Sequence, residues 1–112
     1  MSEPTTWIAS KDVVFVARDG TRVAGCVRVS LPESTLEHEA ACWYSIPFRQ
    51  ARATYGVDHL QALLLALRMC AVELALFVRG GGRIEYPPDA DGNAGEAWDP
   101  STSFGEFFRL PA

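Results

Sequence analysis

The chain has 112 residues, which suits one domain with a single modest core. Hydrophobic residues make up 48% and charged residues 21%, a balance that excludes wholesale disorder. The net charge is −4, which argues against a nucleic-acid binder that works through a basic surface.

The first expected strand is the β-branched run Asp12–Ala17. Arg18-Asp19-Gly20-Thr21 follows, and Asp-Gly between apolar runs predicts a type I′ hairpin turn. The return strand alternates over ten residues. Val23, Gly25, Val27, Val29 and Leu31 share one face, while Arg22, Ala24, Cys26, Arg28 and Ser30 share the other. A polar connection from Pro32 to Ala41 leads to a third expected strand, Cys42–Arg49. Its face would hold Cys42, Tyr44, Ile46 and Phe48, and Pro47 would end it or place it at an edge.

The helix carries the strongest local signals. Asp58 is an N-cap with Gln61 three residues on, in capping-box spacing, and Gly80-Gly81-Gly82 is the stop. At 100° per residue two apolar stripes emerge. Leu60, Leu63, Leu64, Leu67, Ala71, Leu74 and Val78 form the one expected to cover the sheet. Leu65, Met69, Val72 and Leu76 form a second that needs its own cover. Three covers are open: the C-terminal Phe104, Phe107 and Phe108, a second copy of the chain in a homodimer, or a different protein. A membrane span is disfavoured, since Arg68 and Glu73 near a bilayer centre would each cost about 2.5–3.5 kcal/mol.

Arg83–Tyr86 follows as a possible short fourth strand. Pro87–Ser103 reads as an acidic mobile loop within a single domain spanning residues 1–112. Asp89, Asp91, Glu96 and Asp99 lie there with no Lys or Arg, and the other ten acidic residues balance the ten basic ones. The expected architecture is therefore α+β: an antiparallel sheet of three to five strands with one long helix across one face.

No set of residues forms a recognisable catalytic constellation. Glu37, His38 and Glu39 near Cys42 match no metal-ligand spacing, so no metal and no cofactor is expected. His59 beside Asp58, with Cys42 or Cys70, is better explained by capping and by buried thiols than by nucleophilic catalysis. The three glycines follow the helix, whereas phosphate-cradling loops precede one. Three cysteines without a C-x-x-C pair, and no signal-peptide pattern, point to a reducing, cytoplasmic setting.

The stretch Tyr55-Gly56-Val57-Asp58-His59-Leu60-Gln61-Ala62-Leu63, continuing to Ala66-Leu67, resembles a G-V-D-S-L-Q-A-L-x-L-A-L signature. It belongs to a family of small uncharacterised bacterial proteins, a domain of unknown function. His59 stands where that signature has Ser. The resemblance implies a helix opening after several strands, and it brings no assigned activity and no catalytic residues.

Two functions remain as expectations. The first is a non-enzymatic interaction protein of immunity or antitoxin type. It would bind a protein partner, or a second copy, through Leu65, Met69, Val72 and Leu76 and through Asp89, Asp91, Glu96 and Asp99. Neither nucleic acid nor membrane is an expected partner. The alternative is a small-molecule binder or minor enzyme with a pocket between the sheet and the 87–103 loop, using Tyr44, Arg49, Arg52 and Trp98.

Overall fold

The computed structural model describes residues 6–36, 39–88, 91 and 95. In chain order the elements are β1 (Trp7–Val16), β2 (Arg22–Ser30), β3 (Ala40–Ser45), β4 (Arg52–Gly56), α1 (His59–Arg79) and β5 (Arg83–Glu85). The strands form one antiparallel sheet in the order β4-β3-β2-β1-β5, and α1 packs on it. The α+β architecture read from the sequence is the one adopted.

Three local details depart from expectation. The β1–β2 hairpin is not type I′. Gly20 N–H donates to Ala17 O and Ala17 N–H to Thr21 O, each at 2.8 Å. Gly20 has φ +92°, and no described non-glycine residue has positive φ. That is a type I turn followed by one left-handed glycine, which leaves Asp19 at negative φ. There the Asp19 carboxylate accepts Thr21 N–H at 2.9 Å. The second departure is in β3, which ends at Ser45, before Pro47, and leaves Phe48 outside it and exposed. The third is β4, which the sequence reading lacked. It pairs with β3 from Ala40↔Gly56 to Tyr44↔Arg52 and forms an edge of the sheet.

The register separates two faces. Thr54 Oγ1 donates to Ala62 O at 2.9 Å, and Phe15 meets Phe77 edge-on with ring centroids 5.4 Å apart. These residues therefore face the helix. Pairing carries the same face through Cys42, Tyr44, Val29 and Ile84, all of them buried. Arg28 and Ser45, paired with each other, lie on the opposite face.

Contacts cluster in two compact units, and β1, β2 and α1 each pass through both. The unit of Met1–Lys11 and Cys26–Cys70 buries Val27, Val29, Ala40, Cys42, Tyr44, Ile46, Ala62, Ala66 and Cys70. Its buried Ser30 hydroxyl accepts Trp43 N–H at 2.8 Å, and the Cys42 thiol donates to Ser30 O at 3.4 Å. The unit of Asp12–Gly25 and Ala71–Ala112 buries Val13, Phe15, Val16, Leu74 and Ile84. There the nearly buried Glu85 carboxylate takes Arg22 at 2.8 Å and Arg83 at 2.6 Å.

Candidate functional site

The helix is fixed at both ends as its sequence requires. Gln61 N–H donates to Asp58 Oδ1 at 2.7 Å, and the Gln61 side chain accepts Val57 N–H at 2.7 Å. At the other end Gly82 N–H donates to Phe77 O and Gly81 N–H to Val78 O, both at 3.1 Å. Gly81 has φ +104°, so the glycine run is a Schellman cap at the helix C-terminus. The Asp58 carboxylate is engaged in its cap, and the His59 ring pairs with the Ser34 hydroxyl at 3.1 Å. Cys42 and Cys70 are fully buried, and burial pushes the Cys42 thiol upward in pKa. These positions do not assemble a nucleophile and base.

The buried side of α1 is not the predicted one. Ala62, Ala66, Cys70 and Leu74 are the fully buried line, whereas Leu60 and Leu64 are exposed. The inner face is thus turned about a quarter of the way around the helix from the leucine-weighted stripe. At the β4–α1 corner the two elements approach closely: a Cβ on Gly56 would stand 2.7 Å from Ala62 N.

The outer face consequently carries more apolar surface than the sequence implied. Leu60, Leu64, Met69, Val72 and Leu76 are 41 to 64% exposed, and Leu65 is half-buried. Exposed Gln61, Arg68 and Arg79 lie along the middle of this face. Leu60 and Leu64 flank that line on one side, with Leu65, Met69 and Leu76 on the other. By length and composition the helix could cross a membrane, with a mean hydropathy of 1.9. Its capped ends and its small-residue inner line against the sheet are features of a helix seated on a domain.

A second feature is a cleft of about 320 Å3 at the end of the β2–β3 pair. Cys26, Arg28 and Ser45 line it from the strands, and Ile46, Pro47, Arg49, Gln50 and Ala51 from the β3–β4 turn. The Arg28 guanidinium stacks over the Trp7 ring, 4.5 Å from its centroid. Arg49 Nη2 donates to the Tyr44 hydroxyl at 3.3 Å. Arg49 and Tyr44, both singled out from the sequence, are therefore brought together. Arg52 sits exposed on β4 and does not line the cleft. Arg28, Cys26 and Trp7 were missed, although the alternation of β2 already put Cys26 and Arg28 on one face.

Of the acidic set, Asp91 is exposed, while Asp89, Glu96 and Asp99 lie outside the described residues. Trp98, Phe104, Phe107, Phe108, Glu37 and His38 lie outside them as well. Among the described residues no group of three His, Cys, Asp or Glu side chains is placed to hold a metal ion.

Fold and surface define a small α+β domain whose single helix is capped at both ends and apolar on both sides. A family profile described as a domain of unknown function (DUF6968) matches residues 12–94, and the chain belongs to that family. No curated protein and no solved structure matches the chain.

Proposed function

We propose that the protein is a non-enzymatic interaction domain that offers the outer face of α1 to a protein partner. The observation that carries this reading is the exposure of Leu60, Leu64, Met69, Val72 and Leu76 on one helix. Several large apolar side chains exposed on one helix, divided by a line of polar groups, suit a docking site that is part apolar and part polar. The charge on the face selects the occupant. Arg68 and Arg79 lie along it with no exposed carboxylate on the helix, so a groove that is apolar inside and acidic at its rim complements it.

A second copy fits less well. Two-fold packing of two such helices across their middles would bring Arg68 against its own counterpart. Three cysteines without a disulfide accord with a reducing compartment such as the cytoplasm. The immunity or antitoxin reading rests instead on the acidic residues Asp89, Asp91, Glu96 and Asp99, which suit a basic partner surface, and is a separate proposal from the helix-face interface.

A photo-crosslinking residue at Val72, in the full chain in its native cell, tests the reading. The expected product is one heterologous protein, crosslinked through a segment mixing apolar and acidic residues. Crosslinks only to a second copy, only to lipid, or to nothing would contradict it. Loss of the partner on neutralising the four acidic residues, with Leu76→Glu still binding, would also contradict the helix-face interface.

A further inference from the structure

The geometry points to the Arg28 cleft as a binding site for a small organic anion, held through a carboxylate or phosphate group. Arg28 Nε is buried and has no hydrogen-bond partner among the described residues. A buried charged donor left unsatisfied is costly, and such groups in native folds usually have a partner or a role. Stacking on Trp7 occupies one face of the guanidinium, so a further partner must approach in the plane of its N–H groups.

None of the eight residues lining the cleft is acidic. Two arginines elsewhere among the described residues are satisfied within the fold. Arg22 and Arg83 share the Glu85 carboxylate at 2.8 and 2.6 Å. At the Arg28 cleft no lining side chain supplies that carboxylate, and a ligand would. Ser45 and Gln50 offer neutral polar groups, while Ile46, Pro47 and Ala51 form an apolar wall. The cleft volume of about 320 Å3 is at the low end of small-molecule sites. The ligand class is therefore a short carboxylate or phosphomonoester with a few apolar carbons.

Thermal unfolding and calorimetric titration of the full chain test this, with inorganic phosphate, succinate and glycerol phosphate as probes and chloride at matched ionic strength as control. At least one probe is expected to raise the melting temperature with its concentration, chloride having no such effect. Binding should weaken by about tenfold or more in Arg28→Met, and less in Arg28→Lys, which keeps the charge but not the fork. Response to the two phosphates alone identifies a phosphate ligand, and response to succinate alone a carboxylate. An equal response in wild type and a folded Arg28→Lys and Arg28→Met pair would overturn the site, as would no response beyond that to chloride.

Discussion

Glu85 is held by Arg22 and then Arg83, whose hydrogen bonds pull its carboxyl below the ordinary carboxylate range against the opposing effect of burial. A carboxylate with a depressed folded pKa stabilises the fold fully above the unfolded pKa. That contribution is lost as the pH falls through the folded value. Stability should therefore drop as the pH is lowered below about 4.5, the group's ordinary value. Denaturant unfolding of Glu85→Gln should start lower at pH 7 and show a shallower acid loss. Parallel wild-type and variant curves from pH 7 to 3 would contradict the ion-pair account. Thiol chemistry gives a second residue-scale outcome. Cys26 is half-exposed, while Cys42 and Cys70 are buried, and burial raises the Cys42 pKa. An aromatic disulfide reagent should titrate one thiol quickly in the native protein and all three after denaturation. Rapid reaction of three thiols in the native state would exclude the described core.

At the scale of elements, the reading was most secure where single residues act locally. Asp58, Gln61 and the three glycines set the ends of α1 because caps depend on a few neighbouring backbone groups. The alternation of β2 held at its centre, where Val27 and Val29 are buried between half-buried Cys26 and Arg28, but Val23 and Leu31 of the same expected face are exposed and Ser30 of the other is buried. Three features were not legible. β4 is five residues long and its register comes from pairing with β3. The hairpin turn depended on whether Asp19 or only Gly20 takes positive φ, and the Asp19–Thr21 hydrogen bond favours the latter. The inner face of α1 was misjudged because leucines dominate a hydrophobic stripe, whereas the line turned inward is Ala62, Ala66, Cys70 and Leu74. This correction is testable. Ala66→Leu should lose about 1–3 kcal/mol of unfolding free energy by overpacking. Leu60→Gln should change it by no more than about 0.5 kcal/mol. Equal losses in chemical denaturation would restore the leucine-weighted face.

For the whole molecule, the same correction shapes the functional reading. A helix that turns Ala62, Ala66, Cys70 and Leu74 inward leaves Leu60, Leu64, Met69, Val72 and Leu76 exposed, while Phe77 still packs on Phe15 of the sheet. Arg68 and Arg79 on that outer side give it a charge as well as a hydrophobic character. The Arg28 cleft belongs to the opposite face of the sheet, and a ligand there and a partner on the helix are separate claims. The family profile covers β1 only from Asp12 on and spans the other five elements, so the helix face and the residues lining the cleft lie within it, while Trp7 lies outside. The central claim is that the outer helix face is the partner interface. It is tested most directly by the amount of crosslink-identified partner recovered per mole of wild type, Leu76→Glu and Arg68→Glu, with circular dichroism confirming each fold. The account predicts stoichiometric recovery by wild type and at least about a tenfold loss in both variants, the Arg68→Glu loss coming from charge reversal against an acidic rim. Equal recovery by three folded proteins would contradict it.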